Sequence, residues 1–420
     1  MFMNQITPGE THKNPRHYYL DWLRVLAFSL LIVSNSARVF ADDMWWIQNS
    51  ETFIGIDHIL NFLGQWRMPL LFLVSGATIA IVMKRKSIIK FIEDRFIRIV
   101  IPLIAGMLLI IPPQIYFIER FRGSTQSYYD FYLGILEFKW FPKGNLHWLH
   151  LWFLAFIFVY TLILLPILQL LKSESTQQIL NNLTKAISHP IMLFVSILIF
   201  QIPFYILNSI KPGSNVASMA YYFPFFIFGA LFLTSSLVSK SIMINRKAAF
   251  FLGCLFTGLL FCFFWYKGSD GQNLFSLGLP EVISHKIELF AVSLNQWFWL
   301  IAITGFSQQY LNIGHKALTY ANTAVYPFYI LNQTVIVILG YYVIRMDTSV
   351  AVKFILILSG TFILISLLYE MVLKRSFVSK LIFGIKTNIE FTIPIPQSSK
   401  LFKRLSLLIV NASRKPSDFK

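Results

Sequence analysis

Apolar residues run in long stretches along this chain, separated by short polar segments. A helix needs about 20 mostly apolar residues to cross a bilayer. Ten stretches reach that length, at about 22–40, 58–82, 97–118, 150–171, 189–208, 219–238, 248–266, 287–311, 319–342 and 351–373. The pattern predicts an all-α polytopic membrane protein with ten transmembrane helices in one bundle over residues 1–373, followed by a basic tail over 374–420. The segment before the first stretch, MFMNQITPGETHKNPRHYYL, is polar and lacks a short apolar core with a cleavage site, so the first span is expected to stay uncleaved.

Composition agrees with the bilayer as solvent. The chain is 56% hydrophobic and 13% charged, against about 45–50% and about 25% in soluble domains. That excludes an ordinary soluble enzyme, a disordered chain and a nucleic-acid binder, although the net charge is +17. The basic residues orient the bundle instead. Lys13, Arg16 and Arg24, then Lys84, Arg85, Lys86, Lys90, Arg95 and Arg98, then Lys240, Arg246, Lys247 and the tail fall on one side; Arg120, Arg122, Lys211, Lys267, Arg345 and Lys353 fall on the other. The imbalance places both termini in the cytoplasm. The tail stretch SKLFKRLSLLIV mixes apolar and basic residues and is expected either on the anionic inner leaflet or as a loose positive tail. Cys254 and Cys262 lie about 12 Å apart along one helix, too far to pair, and are read as small buried apolar residues.

Polar groups inside apolar spans mark candidate chemistry, because they are costly there and face a bundle interior or cavity. The first span holds Asp21, Arg24, Asn35 and Arg38. Arg24 and Asn35 are eleven residues apart, close to three full turns, and so share a face. The second span carries Arg67 too deep to reach the interface and therefore in need of an acceptor. Arg95 and Arg98 lie one turn apart at the cytoplasmic mouth and with Arg24 form a basic rim suited to phosphates, of a ligand or of lipid. The loop 119–149 is aromatic (Tyr128, Tyr129, Phe131, Tyr132, Trp140, Phe141), which fits a sugar-binding face or an interfacial belt. His147 and His150 share a face but lack a third ligand, so no metal is expected. Asn332 lies near the middle of the ninth span, where an amide bonds across helices.

The segments LDWLRVLAFSLLIVSNSARVF, QWRMPLLFLVSGATIA, RFIRIVIPLIAGMLLIIPPQIYFIER, HLWFLAFIFVY and YPFYILNQTVIV, in this order, resemble the membrane acyltransferase-3 family, in particular its glucan-modifying branch. The resemblance runs from about residue 18 to 386. It implies a multi-pass protein of the bacterial inner membrane that moves an acyl group, succinyl or acetyl, from cytoplasmic acyl-CoA to an extracytoplasmic glycan, with no permanently bound cofactor. Arg67, Ser75, Gly76, Arg95, Arg98 and His150 match the family pattern. Two positions depart from it: the family's first-span Arg, ten residues, then His ends here in Asn35, and the histidine of its ninth-span motif is Asn332.

O-acyl transfer needs a base to take the hydroxyl proton, and a carboxamide cannot do so. The replacement bases within the spans are His150 and His58, with Glu288 and Glu370 behind them. The expected site has Asn35, Arg67, His150 and Asn332 as catalytic residues and Arg24, Arg95 and Arg98 on the acyl-CoA. The alternative is a catalytically impaired relative that binds glycan, lipid or acyl-CoA as a regulatory or binding protein. A transporter is the third class, weakened by the lack of paired broken segments marking inverted repeats.

Overall fold

A computed structural model describes residues 17–385, apart from 44, 84–86, 140–143, 145, 172 and 266–277. Lys13, Arg16, Lys84, Arg85, Lys86, Trp140, Phe141, Lys267 and the tail beyond 385 lie outside the described residues. Among the described residues, ten helices are long and apolar enough to cross a membrane: Tyr18–Phe40, Gly55–Met83, Ile88–Phe121, Leu149–Leu170, Pro190–Ile210, Asn215–Leu233, Ser236–Trp265, Glu281–Tyr310, Lys316–Val343 and Val350–Leu373. No strand occurs among the described residues. Helices close every backbone hydrogen bond within themselves, which a hydrocarbon solvent requires.

The apolar edges mark the crossing part of a helix, and the hydrogen-bonded helix runs further. The third span begins at Ile88 rather than near 97, with a first stretch, Ile88–Arg95, that buries Phe91 and Glu93. The seventh begins at Ser236 rather than near 248, so Lys240, Arg246 and Lys247 sit on helix rather than in a loop. The sixth ends at Leu233, and a tight turn in which the Ser235 N–H donates to the Phe232 carbonyl joins the two.

The second and ninth spans are the most enclosed and the seventh is the least. Peripheral position explains a departure at the cysteines: Cys254 is exposed and Cys262 half-buried, because the apolar surface of the seventh span faces outward, toward lipid. At the centre, the second and sixth spans cross backbone to backbone. A Cβ on Gly76 would lie 1.9 Å from the Phe226 carbonyl oxygen, and one on Gly229 would lie 2.0 Å from that of Leu73. Glycine at both positions brings the helix of Arg67 against the helix of Tyr222.

Lys353, which the sequence places on the outer side at the start of the tenth span, is 7% exposed. Its Nζ donates to Asn49 Oδ1 and to the Ile344 carbonyl, both at 3.1 Å, and so ties the first interhelical loop to the ninth and tenth spans. That loop is closed from within: the Asp57 carboxylate accepts the Asp42 N–H at 2.9 Å, and the Asn49 N–H donates to the Val39 carbonyl at 2.8 Å.

Candidate active site

The turn Tyr329–Asn332 of the ninth span gathers three of the expected residues. Asn35 Nδ2 donates to Asn332 Oδ1 at 3.0 Å, and Asn332 Nδ2 donates to the Tyr329 carbonyl. A carbonyl only accepts, so the Asn332 atom facing Tyr329 is its nitrogen, and Asn35 must present its own nitrogen to the remaining oxygen. Asn332 is 0% exposed, with its carboxamide engaged on both sides. Both its nitrogen and its oxygen are thus bonded within the protein, with Asn35 as the partner across the helices. The Oδ1 of Asn35 is not used in this bond.

His150 joins from the start of the fourth span. Tyr329 donates its hydroxyl to the His150 carbonyl, and the two rings meet edge to face at 5.9 Å. His150 Nε2 lies 2.9 Å from the Ile330 carbonyl. The carbonyl needs a donor, so an imidazole with one proton carries it on Nε2. Nδ1 then holds a lone pair, and it is buried without a hydrogen-bond partner.

The backbone before His150 is unusual. Leu149 has φ 37°, a left-handed conformation uncommon for leucine, and its N–H donates to His147 Nδ1 at 2.7 Å. Such strain costs about 1–3 kcal/mol and persists where the surroundings over-determine it. Here the His147 cap and the burial of Leu149 do so, and the strained turn presents His150 to the ninth span. His147 is thus part of the turn. Burial pushes its imidazole pKa below the ordinary value.

The arginines fall into two groups. At the Tyr18 end of the first span, Arg24 donates to Asn322 Oδ1 at 3.0 Å and to Thr78 Oγ1 at 2.7 Å. It also pairs with Asp21 at 3.7 Å, and Asn322 Nδ2 returns a bond to Asp21 at 3.0 Å. Arg95 lies within electrostatic reach of Arg98 and Arg24, with its guanidinium 4.9 Å over the Phe91 ring. Arg95 thus has the other two arginines within reach, and Arg24 is bound into the protein by its own partners. The Tyr326 hydroxyl donates to the Arg98 carbonyl at 2.8 Å. Gly384, at φ 60°, packs where a Cβ would meet both Tyr326 and that carbonyl.

Arg67 belongs to the second group. It is 6% exposed, and its Nε and Nη1 have no hydrogen-bond partner. Arg38 and Tyr222 lie within electrostatic reach. Among the described residues, no hydrogen bond or ion pair joins Arg67 to Asn35, His150 or Asn332.

Of the four replacement bases, only His150 lies beside Asn332. The His58 ring packs on Phe261 at 5.0 Å. Glu288 pairs with His285 at 3.6 Å, and Glu370 accepts from Tyr320 at 2.5 Å and Lys374 at 3.0 Å at the end of the tenth span. The aromatic loop is partly core: Phe131 is buried, and Tyr128 meets Tyr116 at 5.2 Å, while Tyr129 stays exposed. Tyr329, Arg38 and Tyr222 are the neighbours that sequence reasoning left without a role. Tyr329 had a signal, its position one turn before Asn332; Tyr222 had none in a chain that is 17% aromatic.

A fold of ten membrane helices around buried amides, a histidine and arginines is that of a polytopic membrane protein with a polar interior. Residues 17–370 match the acyltransferase-3 family, described as an acyltransferase domain, and the chain belongs to that family. It is similar to glucans biosynthesis protein C of Escherichia coli O1:K1, 22% identical over 351 residues that cover 80% of this chain and 86% of the relative. The protein of the same name from Shigella dysenteriae serotype 1 is 23% identical over 352 residues, with the same coverage. That from E. coli strain K12 is 22% identical over 352 residues. No solved structure was found to match the chain.

Proposed function

We propose that this protein is an O-acyltransferase of the bacterial inner membrane, moving an acyl group from cytoplasmic acyl-CoA to a hydroxyl of an extracytoplasmic glycan. Family membership supports the reaction class, and the names of the relatives support a glucan acceptor. The observation that carries the reading at the level of atoms is His150, whose Nε2 is committed to the Ile330 carbonyl and whose buried Nδ1 is left without a partner.

Arg95 and Arg98, with Arg24 behind them, hold the phosphates of the donor. The acceptor comes from the opposite face; Asn35 Oδ1 accepts a hydrogen bond from a second hydroxyl of the sugar, which leaves the proton of the reacting hydroxyl facing His150. That hydroxyl oxygen attacks the thioester carbonyl carbon while His150 Nδ1 takes its proton. The C–S bond breaks, an ester forms, and the imidazolium returns the proton to the departing CoA thiolate. Asn332 and Tyr329 keep Asn35 and His150 in place.

The second reading, a binding relative without turnover, has one observation in its favour: the Asn35–Asn332 contact is a settled amide pair with no titratable group. Membranes containing the protein, supplied with labelled acetyl-CoA or succinyl-CoA and periplasmic glucan, decide between the two. Ester formation by the wild type supports the transferase. No ester with either donor, together with ester formation once Asn35→His and Asn332→His are combined, supports the binding protein.

A further inference from the structure

Arg67 stands in the apolar second span with two guanidinium nitrogens that nothing in the protein satisfies. The charged group within its reach is a second cation, Arg38. Among the described residues, neither arginine forms an ion pair with a carboxylate. Two like charges within electrostatic reach of each other oppose folding, and a buried guanidinium without an acceptor adds to that cost. The deficit is one of negative charge and of paired acceptor atoms. A planar guanidinium is best satisfied by a carboxylate or phosphate, which fills two donors at once.

The location is informative. Arg38 follows Asn35 by three residues, one turn and roughly 4.5 Å along the first helix, on the same face. Trp152, two residues past His150, meets the Tyr222 ring at 5.3 Å. Arg38 thus lies one turn past Asn35, away from Arg24, and Tyr222, within electrostatic reach of Arg67, packs on the helix that follows His150.

We infer that Arg67 and Arg38 form a subsite for an anionic group, carboxylate or phosphate, carried by a molecule handled at the neighbouring acyl-transfer site. The identity of that molecule rests on the transferase reading; the anion site itself does not. The anion has two sources with the same chemistry. One is the free carboxylate at the far end of a dicarboxylic acyl group, which precedes the thioester as the donor comes up from the basic rim. The other is an acidic substituent on the glycan, arriving from the opposite face.

The test uses the full chain purified in detergent, at constant ionic strength, with unfolding temperature followed against succinate, inorganic phosphate and the neutral succinamide. The expected result is saturable stabilisation by an anion and none by succinamide. Arg38→Gln, at the half-buried partner, should weaken the apparent affinity by about tenfold or more, and Arg67→Gln should abolish the effect. Should Arg67→Gln not fold, Arg38→Gln carries the comparison. No stabilisation by either anion, or equal stabilisation in wild type and Arg38→Gln, overturns the subsite. Transfer assays identify the source. A preference for succinyl-CoA over acetyl-CoA that Arg38→Gln removes assigns the acyl tail, and a preference for acidic over neutral glucan that it removes assigns the acceptor. Acetyl transfer without anion binding removes the subsite and leaves the transferase; anion binding without transfer of any acyl group does the reverse.

Discussion

Arg24 and Arg67 occupy neighbouring helices of one apolar bundle and meet opposite circumstances. Arg24 is closed: Asp21 balances its charge, and Asn322 and Thr78 fill its nitrogens. Arg67 is open: its buried nitrogens have no acceptor, and its charged neighbour is another arginine. The same division separates the two sides of the central site. Asn332 has both ends of its amide engaged, whereas His150 keeps a bare Nδ1. Closed polar groups hold helices together. Open ones are costly in an apolar interior, and His150 and Arg67 are the two to which the proposed function gives a task.

Substitutions can break this division, and the largest effect is expected at an open group. His150→Ala should lower acyl transfer by about 10²–10⁴-fold, the usual worth of general-base help. Gly76→Val should come next, with loss of folded protein in the membrane, because any side chain there meets the Phe226 backbone; a detergent-solubility profile on gel filtration reads it. Arg24→Gln removes the charge that balances Asp21. It should cost about 1–3 kcal/mol, seen as a lower unfolding temperature, with part of the loss softened by the partial exposure of the pair. Arg67→Gln is the contrasting change. It should leave the unfolding temperature unchanged or raised, since it removes an unpaired buried charge. An equal loss of stability in both arginine variants would erase the distinction between closed and open. Tyr329→Phe should have the smallest effect of those that destabilise, about 1 kcal/mol and a several-fold drop in turnover, because it frees the His150 backbone without touching its ring.

The bundle was legible in the sequence because the bilayer imposes one length and one solvent, and ten apolar stretches answer to both. The starts of the third and seventh spans were not, since Ile88–Arg95 and the turns around Lys240 are helix beyond the apolar edge. Arg67 was legible as a residue in need of a partner from its depth alone. Its relation to Arg38 and Tyr222 was not, because that depends on the Gly76–Gly229 crossing and on residues far apart in the chain. That Asn332 bonds across helices was legible from an amide in an apolar span; that its partner is Asn35 was not, because it depends on how two helices far apart in the chain pack. The commitment of Asn332 to the Tyr329 carbonyl, and the tautomer that Ile330 imposes on His150, are matters of which atom faces which, and only coordinates supply them.

The most direct test of the account is the turnover of wild type and His150→Ala at equal amounts of folded protein, with acyl-CoA and glucan both saturating and folding checked by the unfolding temperature. The account predicts ester formation by the wild type, a loss of about 10²–10⁴-fold in the variant and unfolding temperatures within a few degrees of each other. Equal turnover in the two proteins would contradict it.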